Sequence, residues 1–217
     1  MPKRIILVRH GESEANVDPV VYSRVPDWQI GLTERGVEQA REAGRCIGKL
    51  FGGESFGVFV SPYKRTLQTK ESILEGMGRM PVFDYQDPEL REQEYGNMPP
   101  EEENAAHRAT RRRFGRFFYR FPDGESCADV YDRMALFLDS LYRRFERPSC
   151  PGNILIVSHG TAIKCFLARW YHWGVERFDF HCPLPNCHIV LMESANGRFV
   201  VSEPFARERI LAEEQEQ

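Results

Sequence analysis

The stretch KRIILVRHGESEAN at residues 3–16 decides how the chain begins to fold. Its apolar run at residues 5–8 has the length and composition of a short strand buried inside a sheet. That run leads directly into Arg9, His10 and Gly11, so a cation and an imidazole stand side by side where the predicted strand ends. In doubly wound sheets, ligands bind outside the carboxyl ends of the strands. The arrangement therefore indicates a candidate binding site.

A second stretch, GNILIVSHG at residues 152–160, has the same form, because another apolar run leads into His159 and Gly160. The carboxyl ends of parallel strands meet at one edge of a sheet, so His10 and His159 are predicted to face each other. Gly11 and Gly160 would let the backbone come close to a bound anion. A single histidine after a strand is usually a hydrogen-bonded core residue, but two such pairs favour a site.

A third strand end contributes an arginine. The stretch SPYKRTLQT at residues 61–69 follows a run of strand character at residues 57–61 and places Arg65 in the first turns of the next helix. Arg9, Arg65 and the two imidazoles would then converge on one pocket. Planar, permanently charged guanidinium groups and titratable rings suit a tetrahedral anion. The spacing therefore predicts an anion-binding active site.

The remaining pattern predicts an α/β fold of three layers, α/β/α, with a mainly parallel sheet and an antiparallel edge. We expect a single domain over residues 1–205, followed by a charged tail at residues 206–217. A polar segment at residues 101–120 is predicted to form a helical insertion over the active site. Other predicted elements are helices at 32–51 (with Thr33 as N-cap), 62–77 and 161–173, a strand at 80–85, and a terminal hairpin at 187–193 and 198–203.

Composition argues against several classes of protein. The net charge is only −3 and 41% of residues are hydrophobic, so we expect neither a nucleic-acid partner nor a membrane partner. No apolar run approaches the roughly 18 residues that a membrane span needs, and the protein is expected to be cytoplasmic.

The six cysteines lack a framework spacing and are predicted to be reduced. Adjacent His-Cys and Cys-His pairs in HCPLPNCH, residues 181–188, do not have the spacing of structural zinc sites, so no metal is predicted.

Four motifs in order carry a resemblance: LVRHGESEAN at residues 7–16, SPYKRTLQT at 61–69, LREQEYG at 90–96 and VSHG at 157–160. Together they resemble the histidine phosphatase superfamily, also called phosphoglycerate mutase-like. The likeness covers nearly the whole chain. The segment at residues 113–134 resembles the branch that contains fructose-2,6-bisphosphatases and plant and fungal mutase-like phosphatases.

The resemblance implies that His10 attacks phosphorus to give a phosphohistidine, while Arg9, Arg65 and His159 hold the equatorial phosphoryl oxygens. Glu92 of LREQEYG matches the general acid, and the dianionic phosphate beside it would favour its protonated form. Glu94 and Glu89 are competing candidates. Arginines in place of magnesium imply that no metal is required. The residues implied or predicted to bind substrate are Gly11, Asn16, Gly160, Glu125 and Ser126, although Ser126 is equally suited to cap the next helix.

Several functions remain open at this point. The favoured one is a metal-independent phosphatase that acts on a small phosphorylated metabolite without a cofactor. A phosphoglycerate mutase would use 2,3-bisphosphoglycerate, but the segment after Tyr95-Gly96 has three glutamates and lacks the lysine of the mutases. A sugar bisphosphatase would use Arg120, or another arginine of residues 108–120, for a second phosphate, although such a run usually forms a solvated face. A catalytically silent phosphoryl-binding module is disfavoured because every catalytic position is intact. Neither the substrate nor the oligomeric state follows from the sequence.

Overall fold

A six-stranded mixed sheet organises the structure, a computed structural model that describes residues 1–96, 101–180 and 183–201, with the backbone alone at 101–104 and 180. The strand order is β3-β2-β4-β1-β5-β6. Neighbours among β1 to β4 are parallel, whereas β5 is antiparallel to β1 and β6 to β5, which confirms the predicted sheet with its antiparallel edge. The strands are β1 (Arg4–Arg9), β2 (Phe56–Val60), β3 (Asp84–Gln86), β4 (Asn153–Ser158), β5 (Ile189–Ala195) and β6 (Arg198–Val201).

Helices cover both faces of this sheet, as the three-layer prediction requires. On β1, Ile6 and Val8 pack into one hydrophobic cluster and Ile5 and Leu7 into the other, because successive side chains of a strand point to opposite faces. Helices α2 and α3 contribute to the first cluster and helices α5 and α6 to the second. The described helices are α1 (Glu14–Val17), α2 (Glu34–Phe51), α3 (Lys64–Met77), α4 (Glu101–Phe114), α5 (Cys127–Phe145), α6 (Gly160–Trp170) and α7 (Val175–Phe180).

Local signals set the ends of these helices. The side chain of Thr33 accepts a hydrogen bond from the backbone N–H of Gly36 at 3.0 Å, so Thr33 is the N-cap of α2 as predicted. The helix ends at Gly52, whose φ of 54° lies in the left-handed region that glycine adopts without strain. Ser126 caps α5 in the same way, which confirms the helix predicted to begin there.

The structure differs from the sequence-based expectations at several boundaries. The third strand, β3, covers three residues rather than the predicted 80–85. In the hairpin, β5 begins and ends two residues later than predicted and β6 begins at Arg198 as predicted, while residues 202 and 203 lie outside the described residues. Helix α4 ends at Phe114, whereas the helical insertion was predicted to extend to residue 120. The tail at residues 206–217 lies outside the described residues, and the division into one domain and a tail stays a prediction.

Two findings concern the described part of the chain as a whole. None of its helices combines the length and the apolar character that crossing a bilayer requires. Within the same residues no group of three or more histidine, cysteine or acidic side chains is placed to hold a metal ion, while His181 and Cys182 lie outside them. The described cysteines, which are Cys46, Cys127, Cys150, Cys165 and Cys187, are free thiols.

Candidate active site

Three neighbouring strands bring the predicted residues together. Strand β1 pairs with β4 in parallel register, with Arg9 opposite Ser158, so His10 and His159 follow at adjacent strand ends. Their ring centroids lie 5.3 Å apart in an edge-on arrangement. Strand β2 lies on the other side of β4, and α3 begins after it and carries Arg65 in its first turn. The convergence predicted from the three strand ends is therefore present.

His10 is held in the tautomer that a nucleophile needs. Its Nδ1 lies 2.7 Å from the backbone oxygen of Gly11, and because a carbonyl oxygen only accepts, Nδ1 carries the proton. The other ring nitrogen, Nε2, is left with its lone pair. Burial lowers the pKa of His10 well below its usual value, and the positive charges of Arg65 and Arg9 lower it further. The imidazole is therefore neutral, with its free lone pair at Nε2.

His159 is fully buried beside His10 and is held by a hydroxyl group. Its Nε2 lies 2.8 Å from Oγ of Ser61, the residue that follows β2. Its Nδ1 is buried without a hydrogen-bond partner. Burial, followed by the charge of Arg65, lowers the pKa of His159 well below its usual value. A second neutral ring with one unused nitrogen thus faces the site.

The two arginines are held differently. Arg9 donates from Nη1 to the backbone oxygen of Leu184, while its Nε is buried without a partner. Arg65 is 3% exposed and forms an ion pair with Asp27 at 2.7 Å. Buried polar atoms in folded proteins nearly always have partners, so the unused Nε of Arg9 and Nδ1 of His159 fit the oxygens of a phosphoryl group.

Glu92 lies at the amino end of α6. Its carboxylate oxygens accept hydrogen bonds from the backbone N–H groups of Thr161 and Ala162, each at 3.2 Å, and from that of Gln93 at 2.9 Å. These contacts fix the carboxyl group next to Gly160, where a β-carbon would lie 3.6 Å from Nε of Arg9. Glu92, the acid predicted from LREQEYG, thus lies beside Arg9, which is predicted to bind the phosphoryl group.

The two glycines have separate uses. The backbone N–H of Gly11 donates to Oγ1 of Thr69 at 3.0 Å, and a β-carbon on Gly11 would lie 2.4 Å from the backbone oxygen of Gly36. Gly11 therefore allows the loop to pack tightly against α2. Gly160 instead leaves space beside Arg9 and so keeps the predicted anion site open. Direct contact of either backbone with substrate remains a prediction.

Asn16 is exposed, and its side chain already forms hydrogen bonds within the protein. Its Oδ1 accepts from the backbone N–H of Ser13 at 3.1 Å and from Nδ2 of Asn186 at 3.0 Å. These bonds fix the orientation of its amide group. The contact of Asn16 with a phosphoryl group remains a prediction.

Glu125 and Ser126 form hydrogen bonds that hold the segments around the site in place. Glu125 accepts from Arg133 and Arg91, each at 3.0 Å, and from the backbone N–H of Glu94 at 3.0 Å, which braces the loop that carries Glu92. Ser126 is 3% exposed, and its oxygen accepts from the backbone N–H of Asp129 at 3.2 Å. These hydrogen bonds do not test whether Glu125 and Ser126 contact substrate, so that contact stays a prediction.

A cavity of about 240 Å³ adjoins this site and shares Arg9, Glu92 and Gly160 with it. Three cationic side chains, Arg111, Arg116 and Lys164, form part of its lining, which we call the cationic wall. The apolar part of its lining comes from Phe178, Pro183 and Leu184. Burial lowers the pKa of Lys164 to about 8, so this ammonium group is largely charged at neutral pH.

Some of these residues were singled out in the sequence and others were not. The run at residues 108–120 indicated arginines near the substrate, and the structure places Arg111 and Arg116 at the cavity. Arg120 instead pairs with Asp129 at 2.5 Å on the surface. Asp27 and Lys164 were missed, because an isolated carboxylate outside any motif and a lysine inside an amphipathic helix carry no sequence signal.

Comparison with known proteins identifies the family. The family model of the histidine phosphatase superfamily (branch 1) matches residues 5–205. The chain belongs to the histidine phosphatase superfamily. This histidine phosphatase is 41% identical over 228 residues to the phosphoglycerate mutase-like protein AT74H of Arabidopsis thaliana, with 97% of this chain and 81% of that protein covered.

Two further proteins are similar to this histidine phosphatase over most of its length. The broad-range acid phosphatase DET1 of Saccharomyces cerevisiae is 25% identical over 285 residues, covering 88% of this chain and 85% of its own. Among solved structures, YhfR of Bacillus stearothermophilus superposes with a TM-score of 0.73 at 26% identity, covering 94% of this chain and 96% of its own. The sheet and the helices on both its faces are thus a fold shared with this family.

Proposed function

We propose that this protein is a metal-independent phosphatase that hydrolyses a small phosphorylated metabolite through a phosphohistidine on Nε2 of His10. The main support for the proposal is the hydrogen bond from Nδ1 of His10 to the backbone oxygen of Gly11. This bond leaves Nε2 unprotonated near Arg9 and Arg65. The family, and the similarity to an acid phosphatase, support the same reaction type.

The reaction takes place in two displacements. In the first, Nε2 of His10 bonds to phosphorus, the bond from phosphorus to the ester oxygen breaks, and Glu92 gives its proton to the departing oxygen. Arg9, Arg65 and His159 stabilise the charge on the equatorial oxygens. In the second, water attacks phosphorus, its proton passes to Glu92, the nitrogen–phosphorus bond breaks, and inorganic phosphate leaves.

The adjoining cavity favours a substrate with a second anionic group. Its cationic wall consists of Arg111, Arg116 and Lys164, and a cationic pocket attracts an anion more strongly than a neutral group. A sugar bisphosphate has this chemistry, since one phosphate would bind at His10 and the other at the cationic wall. The narrow volume of about 240 Å³ suits a small metabolite rather than a phosphoprotein.

The cationic wall leads to a prediction about selectivity. Arg116→Ala is expected to raise the KM for a sugar bisphosphate about tenfold more than the KM for p-nitrophenyl phosphate, because a hydrogen bond to a charged group contributes about 1.5–3 kcal/mol. The measurement is steady-state kinetics on both substrates. Arg113→Ala is the matched control, because Arg113 lies three residues before Arg116, is exposed on α4 and contacts the ring of Phe114 rather than the cavity. An equal rise in KM on both substrates would show that Arg116 does not discriminate between them.

The central test uses turnover in excess EDTA together with rapid acid or base quenching. We expect hydrolysis of p-nitrophenyl phosphate to survive chelation, and the intact protein to gain one phosphoryl group that is stable to base and labile to acid, as a phosphohistidine is. A phosphoglycerate mutase would instead hold the phosphoryl group and return it to a phosphoglycerate, so an interconversion assay separates the two activities. Loss of turnover on chelation would overturn the metal-independent mechanism.

A further inference from the structure

One of the two arginines of the phosphoryl site has a resident counter-ion. Nη1 of Arg65 donates at 2.7 Å both to the carboxylate and to the backbone oxygen of Asp27, and Nη2 lies 3.4 Å from the other carboxylate oxygen. In the described part of the chain, Arg9 has no comparable ion pair with a carboxylate; its Nη1 contacts a backbone oxygen. Arg65 therefore has a direct ion pair with a carboxylate, whereas Arg9 has the charge of Glu92 nearby.

Asp27 lies inside the site rather than on the outer surface. It is in a short 3-10 helix at Asp27–Gln29, and its side chain is 18% exposed. Burial raises the pKa of Tyr22 and of Glu94, and in both cases the negative charge of Asp27 is the next largest cause. The charge of Asp27 thus acts on groups of two other segments, the short 3-10 helix at Pro19–Ser23 and the loop that carries Glu94.

A phosphate dianion and the Asp27 carboxylate compete for the same guanidinium group. Arg65 is 3% exposed, and a charge buried to this extent requires a partner whether or not a ligand is bound. In the empty site Asp27 is that partner. When phosphate binds, its charge takes over part of this role while it is repelled by the carboxylate, so Asp27 opposes the bound dianion.

We propose that Asp27 is a built-in counter-ion that weakens the binding of inorganic phosphate at Arg65 and so promotes product release. This inference rests on the proposed phosphatase function. It assigns Asp27 a positioning role that acts through Arg65, without contact with the reacting atoms. Release of product limits turnover in many enzymes, and a carboxylate that replaces the leaving dianion lowers this barrier.

The test is calorimetric titration of inorganic phosphate into the wild-type protein and the Asp27→Asn variant. The asparagine keeps the shape and one oxygen acceptor but removes the charge. We expect phosphate to bind Asp27→Asn about tenfold more tightly, whereas a residue that only stabilised the structure would weaken binding when changed. The same change should lower the KM for p-nitrophenyl phosphate and increase product inhibition.

Three further variants complete the experiment. Asp27→Glu retains the charge and is expected to restore an affinity within about threefold of the wild type. Asp18→Asn removes the same formal charge from the preceding exposed turn, where Asp18 caps a 3-10 helix, and should change the affinity less than about twofold because of screening. Asp27→Ser provides a smaller uncharged side chain if the asparagine variant does not fold, and should also tighten binding.

Unchanged or weaker phosphate binding in the uncharged Asp27 variants would overturn the inference. So would tightening by Asp18→Asn equal to that by Asp27→Asn, since the effect would then be one of net charge. Phosphate binding is measured without turnover, so the result is independent of the phosphohistidine test. A wild-type protein that binds phosphate but hydrolyses no ester would contradict the proposed function and still report on Asp27.

Discussion

Replacing His10 with alanine is expected to reduce phosphatase turnover by about 10⁴-fold or more, since removal of a covalent nucleophile has effects of this size. Nε2 of His10 is the nucleophile of the proposed mechanism, because the bond of Nδ1 to the backbone oxygen of Gly11 leaves Nε2 unprotonated. Arg9, Arg65 and His159 would remain and would still bind phosphate, so KM should change far less than kcat. The measurement is p-nitrophenyl phosphate hydrolysis in excess EDTA, with wild type and variant side by side.

The fold should survive this change. His10 is neutral and buried, so its loss leaves no unpaired charge behind, and thermal unfolding should remain cooperative. His172→Ala is the matched control, because His172 is exposed on the turn after α6 and should retain full activity. Turnover of His10→Ala within about tenfold of the wild type would refute the assignment of His10 as the nucleophile.

Glu92→Gln is expected to slow the hydrolysis of alkyl phosphates by about 10²–10⁴-fold, the range typical of a lost general acid. Aryl phosphates with acidic leaving groups need little protonation, so p-nitrophenyl phosphate should be affected far less at the first step. The measurement is the dependence of kcat/KM on the pKa of the leaving alcohol. A dependence of kcat/KM on leaving-group pKa that is steeper in the variant than in the wild type would identify Glu92 as the proton donor.

A matched glutamate is available two residues along the chain. Glu94→Gln changes the other candidate acid of the same loop and should leave the leaving-group dependence as in the wild type. Because Glu92 accepts three backbone hydrogen bonds, two of them from the first turn of α6, the thermal stability of Glu92→Gln must be compared as well. An equal loss of kcat/KM on alkyl and aryl esters would show that Glu92 is not the general acid. A steeper dependence of kcat/KM on leaving-group pKa in Glu94→Gln would instead identify Glu94 as the acid.

Much of the fold could be predicted because its signals are local. The apolar runs that became β1 and β4 are short and continuous, and Thr33 and Ser126 cap helices through bonds to residues three positions away. The boundaries that were wrong, at β3 and at the end of α4, lie where tertiary contacts rather than apolar periodicity decide how far an element extends.

The sequence by itself determined the position of the site: strand ends followed by histidine and glycine place His10 and His159 together in any parallel sheet that pairs those strands. Only the tertiary structure decided the chemistry around them. The ion pair of Asp27 with Arg65 joins residues 38 positions apart, and the cavity between Arg9 and Lys164 combines several elements. Strand patterns depend on neighbours along the chain, whereas charge pairing and cavity shape depend on which distant segments meet when the sheet and its helices pack.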